Sequence, residues 1–202
     1  MYRVNEIYKS IQGEGVRVGT ENVFVRFTGC NMRCRLEPGS KSPGGFDCDT
    51  EFESGRSLSS DEVIAAVREE DGDEPCEWVI LTGGEPGLQL DEPLIVAFHQ
   101  AGYRIAVETN GSICLPPFLD WITVSPKVAE HCIRQRIADE VKYVRGYGQD
   151  LPRTRVQATH HLISPTFNGM EIDARALAWC EQIIKGSKWK LSLQEHKLHH
   201  IR

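Results

Sequence analysis

Apolar and polar positions along this 202-residue chain switch repeatedly between a period of two and a period near 3.6, and the switching lays out strands and helices in turn. Residues 23–27 (V-F-V-R-F) read as a strand, with Arg26 beside Phe24 on the face opposite Val25 and Phe27. A helix is predicted over roughly 60–70: Ser59 and Glu62 have capping-box spacing, and Val63, Ile64 and Val67 form an apolar stripe. Residues 78–82 (W-V-I-L-T) are a continuous apolar run, as in a strand buried on both faces. A helix near 91–101 stops at Gly102. Further strands are expected at 104–108, 121–124, 140–144, 161–163 and 189–193, and a helix at 173–185 with Ala176, Leu177, Cys180, Ile183 and Ile184 on one face. Residues 145–160 show no clear period.

Strands alternating with helices imply right-handed βαβ units and a parallel sheet. Glycine-bearing polar motifs follow the predicted strands: G-G-E-P (83–86), E-T-N-G (108–111), S-P-K (125–127) and Q-E-H-K (194–197). Barrels and open α/β sheets place their active sites at such strand ends. The length is short for eight βα units, so the expected fold is α/β, a partial (β/α)6 TIM-like barrel in a single domain.

Composition changes this picture little. Net charge is −6 and charged residues make up 26%, which gives no basic surface for nucleic acid and none for a membrane. No export signal opens the chain, and no apolar run approaches the roughly 20 residues of a membrane span. Seven cysteines, an odd number, argue against a disulfide framework and for a reducing cytoplasm.

The chemistry concentrates between residues 26 and 50. Cys30, Cys34 and Cys48 sit in a segment rich in Gly, Pro, Ser and charge that builds little core. Three thiolates suit a structural zinc site, with Cys76, Cys114, His131 or Cys132 as a fourth ligand. They suit equally an iron–sulfur cube with one iron left open to a small molecule. Three cysteines alone do not decide between these. Gln12-Gly13-Glu14-Gly15, taken alone, reads more readily as a surface turn than as a site. Arg26 emerges at a sheet edge or, in a barrel mouth, awaits an anion.

The motifs in order carry a resemblance. The C-x3-C start and G-G-E-P after a buried strand resemble the radical S-adenosylmethionine superfamily. The set Q-G-E-G, V-R-F-T-G-C-N, C-D-T, T-G-G-E-P, E-T-N-G, S-P-K and L-S-L-Q-E-H-K is similar to the 7-carboxy-7-deazaguanine synthase family, from about residue 5 to the C-terminus. The resemblance implies a domain spanning 1–202: a radical S-adenosylmethionine core, an N-terminal substrate-binding extension and an inserted cluster loop at 35–47. It implies a [4Fe-4S] cluster on Cys30, Cys34 and Cys48, and no protein side chain as catalyst. S-adenosylmethionine bound at the open iron would give a 5′-deoxyadenosyl radical on reduction. The radical would abstract hydrogen at C6 of 6-carboxy-5,6,7,8-tetrahydropterin. Ring contraction with loss of ammonia would yield 7-carboxy-7-deazaguanine, on the path to queuosine and related deazapurines.

Carried over by position, Asp49, Gly84, Glu85, Glu108, Ser125, Lys127 and Ser164 would contact S-adenosylmethionine. Ile11, Gln12, Gly13, Arg26, Thr82, His196 and the carboxylate of Arg202 would contact substrate, and Thr50 would hold Mg2+. The family implies a homodimer served by an electron donor such as flavodoxin or ferredoxin. The chain departs from the pattern in four ways, one being Arg202 as terminal residue where a small apolar residue is common. Thirteen residues separate Cys34 from Cys48 where the superfamily has two. Asp47, with Phe46 one residue off, stands in place of the aromatic that lies against adenine. Ser164-Pro165 replaces Gln-Pro, leaving that contact to backbone atoms. Two other readings compete: an activase that makes a glycyl radical on a partner protein, and a zinc-stabilised binding module.

Overall fold

The computed structural model describes residues 1–32, 34, 48 and 50–201. The chain opens with β1 (Tyr2–Ile11), which pairs antiparallel with β2 (Glu21–Phe27) on one side and with β3 (Arg56–Leu58) on the other. The sequence pattern did not resolve β1 as a strand, because Asn5, Glu6, Lys9 and Ser10 interrupt its apolar positions. Helix α1 (Ser60–Asp71) leads to β4 (Trp78–Gly83), α2 (Glu92–Gln100) to β5 (Arg104–Thr109). Then come β6 (Trp121–Val124), β7 (Ile137–Arg145) and β8 (Gln157–Pro165). A small hairpin of β9 (Phe167–Asn168) and β10 (Glu171–Ile172) precedes α3 (Ala174–Ile183), β11 (Lys190–Leu191) and α4 (Glu195–Leu198).

Nine of these strands form one sheet in the order β11-β8-β7-β6-β5-β4-β2-β1-β3. From β2 to β11 every neighbouring pair is parallel. The α/β expectation holds, with a large, mostly parallel sheet. The (β/α)6 description does not hold in full. No α-helix stands in the β5–β6, β6–β7 or β7–β8 connections, and the two outermost strands are not paired to each other. Short connections suffice there because the segments from 110 to 120 and from 125 to 136 fold back as turns and extended chain.

Helix α1 starts where its cap is satisfied: Glu62 N–H donates to Ser59 Oγ at 3.2 Å and Ser59 N–H to Glu62 Oε2 at 2.6 Å. Its buried residues Val63 and Val67 join Leu94, Ile95 and Phe98 of α2 on the outer face of the sheet, against Val23, Val25, Phe27, Val79, Leu81, Ile105 and Val107. At that edge Asp91 caps α2 through Leu94 N–H and also accepts from Tyr2 Oη at 2.7 Å, tying the chain's start to the helix layer. A second cluster under α3 includes Val124, Val141, Tyr143, Ile163, Cys180 and Trp189.

The inner face is layered by register. Phe24, Ile80, Ala106 and Trp121 are partners across four strands and make an apolar row. Two residues further along, Arg26 is level with Thr82, Glu108 with Thr123, and Glu140 with both Thr123 and His160. Arg26, Thr82, Glu108, Thr123, Glu140 and His160 thus form a polar row above the apolar one. Side chains alternate faces along a strand, so one choice of register sends all of these inward. His160 stacks on Trp121 while its neighbour His161 packs against Trp189 on the other side.

Candidate functional site

The segment after β1 crosses the inner face of the sheet. Gln12 and Thr20 close it as a loop, with Gln12 N–H donating to Thr20 O at 2.8 Å and Gly19 N–H to Gln12 O at 2.8 Å. Q-G-E-G is therefore no surface turn, since Gln12 and Gly13 are buried. Each of its residues has a reason. Gln12 Nε2 donates to Glu108 at 2.9 Å. Gly13 makes room for His196, whose Nδ1 would lie 2.3 Å from a Cβ there. Glu14 forms a buried ion pair with Lys142. Gly15, at φ +77°, lies so close to Glu140 that a Cβ would sit 2.5 Å from its carboxylate.

These residues wall a cavity of about 230 Å3 lined by Tyr8, Ile11, Gln12, Gly13, Glu14, Phe24, Arg26, Thr50, Thr82, Glu108, Gln194 and His196. Every described residue expected to touch substrate lies on it, together with Thr50. Glu108, expected at S-adenosylmethionine, is here too: it accepts from Gln12 and, at 3.3 Å, from Thr82 Oγ1. Tyr8 and Phe24 belong to none of the motifs, while Glu14 and Gln194 lie in Q-G-E-G and Q-E-H-K but are given no role there. Tyr8 and Phe24 stack with ring centroids 5.2 Å apart and form a flat apolar wall. Arg26 leans over Tyr8, donates to its hydroxyl at 3.0 Å and faces Glu6 at 3.4 Å.

Cys48 Sγ lies 3.9 Å from Thr50 O at the cavity, and Cys30 and Cys34 are close enough to Cys48 to feel its charge. Cys48 N–H donates to Cys34 O at 2.8 Å, so the two ends of the inserted segment meet. Burial raises the Cys30 thiol above its ordinary value, opposed by a hydrogen bond from Met32 N–H; Glu85, Cys34 and Cys48 raise it further. Burial and then Cys48 do the same to Cys34, with Lys127 opposing. With Cys30 and Cys34 both raised, a cationic partner is what would ionise these two thiols. Among the described residues no three His, Cys, Asp or Glu side chains gather around a single-ion site. A four-iron cube takes one thiolate per iron and asks for ligands spread around a larger body. Three thiols without a fourth are the donor set that a cube with one open iron would take. Cys76 and Cys180 are buried in the apolar clusters, and Cys114 and Cys132 are exposed.

G-G-E-P is bonded to the root of the cysteine loop. Gly84 N–H donates to Phe27 O at 3.1 Å and Glu85 N–H to Gly29 O at 2.9 Å. The Glu85 carboxylate is fully buried and accepts from Thr109 Oγ1, Asn110 N–H and Gly87 N–H at 2.7–2.9 Å. Burial holds its pKa up, and those bonds oppose the rise. Its side chain joins the β4 turn to the β5 turn and is fully engaged within the protein. Ser125 and Lys127 are close to each other, with Nζ 3.3 Å from Oγ, and Lys127 acts electrostatically on Cys34. Ser164 is buried in β8. Asp49, Arg202, Phe46, Asp47 and the 35–47 insertion lie outside the described residues.

No family model matches the chain. It is 40% identical over 203 residues to a 7-carboxy-7-deazaguanine synthase of Bacteroides thetaiotaomicron, covering 100% of both chains. It is 38% identical over 214 residues to the protein of that name from Bradyrhizobium diazoefficiens, covering 100% of this chain and 99% of the other. Among solved structures, the crystal structure of QueE from Escherichia coli superposes with a TM-score of 0.67 at 23% identity, over 96% of this chain and 94% of that one. That likeness is one of fold.

Proposed function

The chain belongs to the 7-carboxy-7-deazaguanine synthase family, and from that premise we propose that it converts 6-carboxy-5,6,7,8-tetrahydropterin to 7-carboxy-7-deazaguanine with loss of ammonia, in queuosine biosynthesis. The observation that carries this reading is the convergence of Arg26, Thr82, Glu108, Gln12 and His196 on one cavity beside three cysteines. Cys30, Cys34 and Cys48 would hold a [4Fe-4S] cluster, which when bound would supply the electron for radical chemistry from S-adenosylmethionine.

The protein's part is recognition and exclusion of water. Arg26 offers a planar fork to the substrate carboxylate, in exchange for its contact with Glu6. Glu108, Thr82 and Gln12 already form a hydrogen-bonded set with donors and acceptors. Such a set suits the amide and amino edge of a pterin, so we reassign Glu108 from S-adenosylmethionine to substrate. The Tyr8–Phe24 wall suits the flat face of its ring. Ile11, Gly13 and His196 close the pocket, and the carboxylate of Arg202 is assigned to substrate by the family resemblance alone. Thr50 presents its hydroxyl for Mg2+ at the cavity edge. Gly84, Glu85 (through backbone), Asp49, Ser125, Lys127 and Ser164 bind S-adenosylmethionine. A homodimer and a flavodoxin- or ferredoxin-like donor complete the assembly.

The test is anaerobic reconstitution of the purified chain with iron and sulfide. Incubation with reductant, S-adenosylmethionine and the carboxytetrahydropterin follows, with mass analysis of the products. The deazaguanine acid is expected, in equal amount to ammonia. Formation of 5′-deoxyadenosine without any ring-contracted product would defeat the substrate assignment.

A further inference from the structure

Two charged side chains in the interior have no role so far. Lys142 follows Glu140 by two positions on β7, and so shares its inward face. Its side chain is only 9% exposed, and that of Glu14, its ion-pair partner, 15%. Burial pushes the Lys142 ammonium down to about 8, and the Glu14 carboxylate is in contact with it. Two buried opposite charges add little to stability compared with apolar residues of the same size. A pair retained at such a cost suits a task that depends on geometry.

The geometry names the task. Glu14 sits on the cavity wall and accepts from Gln194 Nε2. Its neighbours hold the same stretch of chain: Gly13 O accepts from Glu195 N–H at 2.8 Å, and Gly15 N–H donates to Ser192 Oγ at 3.0 Å. Three consecutive residues of the N-terminal loop thus grip residues 192–195, and His196 comes next, pressed against Gly13. Of the three gripping residues Glu14 alone is charged, and Lys142 is its ion-pair partner.

We propose that Lys142 is a positioning residue for substrate binding: acting through Glu14, it anchors the C-terminal segment so that His196 stays at the cavity wall. The proposal rests on the substrate reading given above for that cavity, and its test separates the two. Amide exchange is followed in the substrate-free, cluster-loaded protein for wild type, Lys142→Met and Glu14→Gln. The Glu195 amide and those after it should exchange at least about tenfold faster in both variants, the effect of leaving one buried charge or its bond unmet. In turnover, KM for the carboxytetrahydropterin should rise by about tenfold or more, while KM for S-adenosylmethionine and iron content stay at wild-type values. The two substitutions combined should cost little more than either alone, because both break one link.

Unchanged exchange in Glu14→Gln, which keeps the side chain's size should Lys142→Met not fold, overturns the proposal. So does a loss shared equally between both substrates' KM values, the pattern of a merely structural role. Faster exchange alongside a wild type that makes no deazaguanine leaves the anchor standing and removes only the substrate reading.

Discussion

Glu140 illustrates what a single inward-facing residue undergoes in this sheet. It is 4% exposed, accepts from Val16 N–H at 2.9 Å and from Thr123 Oγ1 at 2.8 Å, and lies beneath Gly15. Burial is the largest influence and raises its pKa; the bonds from Val16 and Thr123 lower it, Glu108 raises it and His160 lowers it. The folded value stands above the unfolded one, which is roughly 4.3 for a free glutamate. Stability from the protonated form is therefore present below the unfolded value and is lost as pH rises through the folded value. Glu140→Gln keeps the size and one acceptor but does not titrate. Its melting temperature relative to wild type should then be higher at about pH 8 than at about pH 5. Thermal unfolding at the two pH values checks this, and a difference independent of pH would mean that burial does not govern Glu140.

Elements position the two halves of the site against each other, and the turn after β4 is where they join. Gly83, at φ +117°, has Phe27 O 2.3 Å from where a Cβ would stand, and Gly84 has Gly29 O at 2.0 Å and Cys30 Cβ at 3.2 Å. The glycines let one backbone lie directly on the other, so the cysteine loop and the turn hold one geometry. Gly84→Ala must push the root of the loop away. The displacement should cost about 1–3 kcal/mol, as for other overpacked sites, and should lower iron bound per chain after reconstitution. Iron analysis and absorbance of the reconstituted protein measure this. Full iron loading at wild-type stability would show that the close approach is dispensable. Much at this scale was legible in advance: the capping box of α1, the doubly buried run of β4, and the polar motifs past the strand ends all follow from local pattern. What local pattern does not contain is register. Glu140 and Lys142 were visible as charges in an otherwise apolar strand, E-V-K-Y-V, but only pairing with β6 and β8 puts them level with Thr123 and Leu162. For the same reason Q-G-E-G passed for a surface turn, since its partners Glu108, Glu140, Lys142 and His196 are more than 90 residues away in sequence.

At the scale of the molecule, the two ends of the chain meet inside the fold. The loop after β1 forms one side of the cavity, Gln194 and His196 another, and the parallel strands between them supply Thr82 and Glu108. The helices contribute little to the cavity and much to stability, since the largest apolar cluster lies between them and the outer face. Helix α4 has no buried residue; the chain at its start is tied to Gly13 and Glu14, and Lys197 lies over the Phe167 ring of the β9–β10 hairpin. Stability and recognition are thus carried by different parts of one sheet, and removing residues 194–202 should separate them. The shortened chain keeps Trp189 and Ser192 and all the apolar clusters, so its melting temperature should move by only about 2–4 °C, the shift expected from losing about 1 kcal/mol in a protein of this length. The cysteine loop and the β4 turn are untouched, so iron loading and reductive cleavage of S-adenosylmethionine should persist. The cavity, open where Gln194 and His196 stood, should no longer hold the pterin, and 5′-deoxyadenosine should accumulate with little deazaguanine acid. Measuring both products from the same incubation gives the answer. A shortened chain that still couples them one to one would mean that the N-terminal loop and the strands suffice for recognition.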